Sequence, residues 1–223
     1  SAAGYDDVKE TDNVEAIEVL QAIEVMVGDE RGFGPDRPVN RAEMAVVMGK
    51  LLNLDYNYYS AACPFNDVYD WARGYVGACY ANKILSGRGD GIYDPGSSVT
   101  AVEAAMMLMR ALGYFQYSND VADGWILATV TQGNKIGIFD GVGSSADAPM
   151  TRNQVAQMVL NALQSAVVEP DGNTTTFLNP DGTVLATTGK VNYVSVTSQK
   201  PFARTIGRTQ ATSVGSQNDG WIV

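Results

Sequence analysis

The chain has 223 residues, 45% of them hydrophobic, 18% charged, with a formal net charge of -10. That apolar content suffices for a core, and the length suits one compact domain of roughly 150 residues with a further piece attached. The acidic balance gives no long-range attraction to nucleic acid or anionic membrane, so an anionic ligand needs locally placed cations, and the absence of His removes the commonest general base and the commonest zinc ligand.

In chain order, the opening SAAGYDD resembles a mature terminus left by cleavage at small residues. A first helix runs toward Gly28 and is followed by the turn-rich loop DERGFGPDRP. A second begins in VNRAEMAVVM, where Asn40 suits the N-cap and Glu43 follows three residues later, a capping-box spacing. Arg41 is out of place there, because the positive end of the helix dipole disfavours a cation in the first turn.

The same order recurs twice. WARGYVGACYANKILSG, Trp71 to Gly87, leads through RGDGIYDPGSS to VTAVEAAMML, with Thr100 and Glu103 as cap and partner. WILATVTQGNKIGIFDG, Trp125 to Gly141, leads through VGSSADAP to MTRNQVAQMV, with Thr151 and Gln154. The apolar faces correspond. Met44, Val47, Met48, Leu51 and Leu52 match Ala104, Met107, Leu108, Ala111 and Leu112, then Val155, Met158, Val159, Ala162 and Leu163. Gly28, Gly87 and Gly141 suit helix C′ positions, where φ is often positive. Each unit is thus helix, glycine loop, capped helix, and three such units are expected to pack around a shared axis.

These residues resemble the S-layer homology family. The second copy supplies Phe65-Asn66-Asp67-Val68, Trp71-Ala72, Ile84 to Gly87 and Gly91-Ile92-Tyr93-Asp94-Pro95. The first supplies Tyr5-Asp6-Asp7-Val8, Phe33-Gly34-Pro35 and Asn40-Arg41-Ala42-Glu43, and the third supplies Trp125, Ile138 to Gly141 and Thr151-Arg152. The resemblance implies a mainly α, pseudo-threefold spindle of three repeats. It also implies an extracellular protein of the bacterial cell wall or surface layer, held non-covalently by a secondary cell-wall polysaccharide carrying pyruvate ketals.

By the same resemblance, the ligand-binding positions are Arg41, Arg152, Trp71, Trp125, Gly28, Gly87 and Gly141, with Asp67 either touching ligand or capping the helix of Trp71. The residue chemistry suits a carboxylated sugar: helix N-terminal N–H donors, a guanidinium beside them, an indole for the sugar face and glycines for close approach. The copies differ, however. Ala101 stands where the arginine belongs in the second, the first lacks the tryptophan, and the third has Asn153-Gln154 for Ala-Glu and Val121 for the aspartate. One or two working grooves are expected.

The remaining signals point away from other chemistry. Arg88-Gly89-Asp90 falls within the glycine loop, and that loop lacks the ligand spacing of a calcium site. No carboxylates form a convincing catalytic pair, and without His a serine or cysteine nucleophile lacks its usual base, so neither an enzyme nor a cofactor is expected. No run of about 18 apolar residues exists to span a membrane. Cys63 and Cys79 leave two readings open: one disulfide in an exported protein, or, for Cys79, a small buried hydrophobe.

From about Val167 the composition turns to Thr, Val and aromatics, with Asn179-Pro180-Asp181-Gly182 as a turn between strand-like runs and VNYVSVTS alternating like a half-buried strand. The divisions expected are 1–58, 59–117 and 118–166 for the three repeats and 167–223 for a partial β segment beginning a further module. That segment either stands alone poorly or packs on the helices, and the closing NDGWIV reads as an interruption within a longer protein. The alternative to a wall anchor is a protein–protein assembly module whose grooves hold other surface-layer subunits or another partner chain. A third possibility is a stalk for a catalytic domain lying beyond Val223.

Overall fold

The computed structural model describes residues 1–171, 175–188, 191–196 and 201–208. The chain is mainly helical: α1 (Val14–Ala22), α2 (Arg41–Leu51), α3 (Asp70–Ala81), α4 (Ala101–Leu112), α5 (Trp125–Ile136), α6 (Arg152–Leu163) and, after short strands, α7 (Phe202–Thr205). All three capping boxes form. Asn40, Thr100 and Thr151 accept from the backbone N–H of Glu43, Glu103 and Gln154, whose side chains accept from the cap residues' own N–H groups. The fifteen apolar positions face one core; all are buried except Leu52 and Ala111, which are partly buried against it.

The helix ends differ from the sequence expectation. The first helix of each unit stops four residues before its glycine, at Glu24, Lys83 and Gly137, which hold φ of 61°, 61° and 74°. Val25, Ile84 and Ile138 then donate to Leu20, Cys79 and Gly133 at 2.9, 2.9 and 3.0 Å, closing the last turn as a Schellman motif. Gly28 and Gly87 serve close packing instead. A Cβ on Gly28 would lie 2.4 Å from the Tyr5 ring, and one on Gly87 2.3 Å from the Phe65 ring. Gly141 does hold a left-handed φ of 73°, but five residues beyond the end of α5.

The three units close into a ring. Val39 donates to Met150 at 3.0 Å, Met150 to Val99 at 3.1 Å and Val99 to Val39 at 2.9 Å. Around that triangle, each capped helix has its first N–H groups satisfied by a neighbouring loop. Arg41 and Ala42 donate to Ser97 and Pro95, Ala101 and Val102 to Ala148 and Ala146, and Arg152 and Asn153 to Arg37 and Pro35. The outer helices pack in the same sense, α3 on α2, α5 on α4 and α1 on α6. Asn13 seals the last contact, its N–H donating to the Asn153 side chain at 2.7 Å. Met44, Met48, Leu108, Val155 and Val159 fill the centre at 0% exposure, each fully buried side chain contributing about 1.5–3 kcal/mol.

The C-terminal segment packs on the helices. Strands β1 (Val168–Pro170) and β4 (Tyr193–Ser195) pair antiparallel, as do β2 (Thr175–Leu178) and β3 (Val184–Thr188) across the Asn179–Gly182 turn. The alternation expected over VNYVSVTS holds from Val191 to Val194, where buried Val191 and partly buried Tyr193 alternate with exposed Asn192 and Val194, and breaks at Ser195, which is exposed like Val196; Thr197 and Ser198 lie outside the described residues, as does NDGWIV. In α7, Phe202 and Ala203 join the same core as the helices, and Phe202 donates to the Ser165 carbonyl at 2.7 Å. Arg208 then caps α2, donating from Nε to the Leu51 carbonyl at 3.0 Å and from its other end to Lys50.

Cys63 and Cys79 are free and buried. Burial pushes the Cys79 thiol up to about 12, as expected of the small-hydrophobe reading.

Candidate functional site

Arg41 lies at the junction of two units. It is 8% exposed. Its Nε donates to the Tyr93 carbonyl at 2.9 Å, its guanidinium sits 4.5 Å above the Tyr93 ring, and Nη1 pairs with the Glu103 carboxylate. Tyr93 returns a hydrogen bond from its hydroxyl to the Arg41 carbonyl at 3.0 Å. Arg152 repeats this against the first unit, with Nε to the Phe33 carbonyl at 2.8 Å, Nη2 to Val27 at 2.9 Å and the Phe33 ring 4.5 Å away. Each arginine therefore braces the aromatic loop of a neighbouring unit. Burial lowers the Arg152 pKa.

Asp67 clamps the same loop. Its carboxylate accepts from Tyr93 at 2.9 Å and Asp94 at 2.8 Å, just as Asp7 accepts from Phe33 and Gly34 at 3.0 and 2.8 Å. Desolvation pulls the Asp67 pKa upward, but the two N–H donors outweigh it and hold the carboxyl below its ordinary value. Asp67 does not cap α3, whose N-cap is Tyr69 without a side-chain bond. In the third unit the whole brace is missing: Val121, Ser144 and Ala101 stand at the positions of the aspartate, the aromatic and the arginine.

The helix N-terminal donors expected to hold a ligand are used internally. In α2, α4 and α6 the first two N–H groups go to a neighbouring loop and the third to the cap. The open chemistry lies beside them, in a groove of about 460 Å³ between the second and third units. Ile84 to Arg88 form one wall, Glu103, Met106, Met107 and Arg110 the floor, and Trp125 the far rim, with Arg41 and Tyr93 at the inner end. Trp125 is 39% exposed, which leaves indole surface for a ligand.

Of the expected residues, Arg41, Gly87 and Trp125 thus share one groove. Trp71 lies outside it, 57% exposed and stacked on Tyr69 at 5.7 Å between ring centres. Under the threefold relation Trp71 matches Trp125, and with Arg152 and Gly28 it belongs to the corresponding face of the first unit. Gly141 falls in the third unit. There Asn161 donates to the Ile138 and Asp140 carbonyls at 3.0 and 2.8 Å, tying the strand down where the other units keep a cation.

Two groove residues were missed, Arg88 and Arg110. Arg88 lay in the Arg-Gly-Asp tripeptide that the glycine loop had absorbed. Arg110 had a usable signal: it is the single cation of α4 and lies seven residues, two turns, below Glu103 on the same face.

Residues 4–45 and 64–105 match the model of the S-layer homology domain. These segments are the bulk of the first two units. Among relatives, the chain is 27% identical over 157 residues to a surface layer protein of Brevibacillus choshinensis, covering 67% of this chain and 14% of that protein. It is 26% identical over 167 residues to the middle cell wall protein of Brevibacillus brevis, covering 72% and 15%. It is 28% identical over 181 residues to the exoglucanase XynX of Acetivibrio thermocellus, covering 73% and 16%. The chain therefore spans about one sixth or less of these curated relatives. The S-layer homology domain and the surface-protein relatives put the chain outside the bacterial cell, at the wall or surface layer. Among the described residues no helix is long and apolar enough to cross a membrane.

Proposed function

We propose that this chain anchors a surface-layer or surface-displayed protein non-covalently to the bacterial cell wall by binding an anionic, pyruvylated secondary cell-wall polysaccharide. The observation that carries the reading is the groove with three guanidiniums, those of Arg41, Arg88 and Arg110, opposite an exposed indole. Cations meet the carboxylate and the indole meets a sugar face. On a chain of net charge -10, that local concentration of cations is the feature that needs a function.

In this reading the third helix pair is a diverged copy of the first two, and the repeats run over 1–58, 59–117 and 118–166, with 167–223 leading to whatever follows. The second unit's groove is the principal site. The Arg152 face, with Lys50 and Trp71, is the secondary one, and the third has lost the function. The module binds rather than catalyses, which fits its recurrence in both a wall protein and an exoglucanase.

One observation favours the alternative, an assembly module for other surface-layer subunits. Ile126 and Leu127 at the start of α5 are 50% and 60% exposed, and such neighbouring apolar side chains suit a protein contact. Co-sedimentation with purified walls separates the two readings. The anchor pellets with intact walls and stays in solution when the walls are stripped of their pyruvylated polymer. Equal pelleting with both kinds of wall overturns the anchor reading.

A further inference from the structure

The two short ladders of the C-terminal segment keep one register. Val168 faces Ser195, Pro170 faces Tyr193, and Thr175 and Phe177 face Thr188 and Ala186 with the same offset. They are successive stretches of one antiparallel arm. The base of the arm is held: Val168 is buried, and Tyr193 gives its hydroxyl hydrogen to Asp120 while accepting from the Gln116 N–H at 3.0 Å. The far end is not held. Phe177, Leu178, Val184 and Leu185 are 49%, 58%, 62% and 67% exposed, and none belongs to the core or packs against it. Among the described strands, β2 pairs with β3 and with no other.

We infer that this arm is an edge-to-edge contact for a second copy of the chain, the two hairpins joining as one four-stranded antiparallel sheet. A lone two-stranded ribbon is marginal in water, and exposed strand edges are ordinarily protected by charge or proline within the strands. From Thr175 to Thr188 the sequence has no Lys, Arg or Glu. Asp181 is the one charge there and sits in the turn, accepting from the Thr183 N–H at 3.0 Å and from its hydroxyl at 2.6 Å. A bulge at Phe177 and Leu178 interrupts the ladder next to that turn and leaves the pairing below it regular.

Charge selects the partner. The chain carries a net charge of -10, so two copies repel wherever their acidic surfaces meet. The arm is where they approach without that repulsion. A cationic protein would be drawn to the acidic surface and gains nothing from an uncharged ribbon, whereas an identical ribbon matches it in backbone spacing and in side-chain chemistry. The four apolar side chains leave about 400 Å² open per copy, the size of a functional patch on a monomer. Edge pairing covers part of that surface, which places the contact below about 1,200 Å² and its dissociation constant in the roughly micromolar range. None of these residues lines the arginine groove, so self-association and wall binding are separable.

The test is sedimentation velocity of the full chain from about 1 to about 200 μM. The native protein is expected to pass from monomer to dimer over that range, and to associate more tightly in about 0.5 M salt, which screens the repulsion. Amide exchange in β2 or β3 is expected to slow as the concentration rises. Val184→Lys combined with Leu185→Lys is expected to weaken the dimer by about tenfold or more, because like charges then meet across the contact, with the melting temperature unchanged. Phe177→Thr combined with Leu185→Thr keeps strand-forming residues and removes apolar surface, and is expected to weaken it in the same direction. Ile126→Lys, on the exposed apolar face of α5, is expected to leave it unchanged. A native protein that stays monomeric throughout overturns the inference. So does a dimer that survives both arm variants, one lost in Ile126→Lys, one that dissociates in salt, or one that forms with no slowing of exchange in either strand. Pelleting with walls is scored separately and decides the anchor reading alone.

Discussion

Replacing Arg41 by Ala tests whether that residue is a brace or a ligand contact. The substitution removes a charge-assisted bond to the Tyr93 carbonyl, the stacking on its ring and the pair with Glu103, at a side chain 8% exposed. Removing one partner of a buried pair typically costs about 3–5 kcal/mol. Here Glu103 keeps Arg88 at 3.6 Å as a second partner, which lowers the expected cost to about 2–4 kcal/mol. For a domain of this size that is a fall in Tm of roughly 4–16 °C. Arg152→Ala, with two carbonyl partners and no carboxylate, is expected to cost about 1–3 kcal/mol. Thermal unfolding followed by circular dichroism measures both. A double-mutant cycle with Glu103→Gln isolates the pair, with an expected coupling of about 1–3 kcal/mol. An Arg41→Ala protein that melts within about 1 °C of the original but no longer pellets with walls would refute the brace.

Asp67 and Asp7 each hold a loop through two N–H bonds with a carboxyl pKa below the ordinary 3.8. Their contribution is present above the unfolded value near 3.8 and is lost as pH falls through the lower folded value. Melting temperature is therefore expected to drop with acidification below about pH 4, and less steeply in Asp67→Asn; parallel acid profiles would contradict this. Phe202→Ala empties a site 2% exposed and is expected to cost about 3–5 kcal/mol in urea unfolding, with the helices and α7 melting in one transition. A loss below about 1 kcal/mol would show that α7 is not part of the core.

The caps and the helical core were legible because both are local patterns. Asn40 and Glu43 bond within one turn, and the fifteen apolar positions lie at helical spacing. The role of Arg41 was not legible, because its partners Tyr93 and Glu103 are 52 and 62 residues away. Within the sequence its conflict with the dipole read as an invitation to an anion, whereas the charge is answered by a neighbouring unit's carboxylate. The helix ends were misplaced for a different reason. Glu24 and Lys83 take the left-handed conformation usually left to glycine, so the visible glycines four residues on attracted the assignment. Phe202 lay in a four-residue helix too short for any periodicity to reveal. Trp125 was found through its repeat and lies in the same groove as Arg41 and Gly87, whereas Arg110 needed the groove itself, because its one sequence signal is its spacing from Glu103.

The ring of Val39, Met150 and Val99 has a consequence for synthesis. In an open stack of repeats each new unit settles on a finished predecessor, and the chain can stop after any of them. Here α1 waits for α6, and Asn13 for Asn153, 140 residues later. The first unit leaves the ribosome with a bare apolar flank that nothing covers until the last unit has emerged. The closing step therefore waits for α6 to emerge, and contacts this distant slow it. The same closure fixes the count: a fourth unit would have no place to join, and deleting any one would strand two open faces at once.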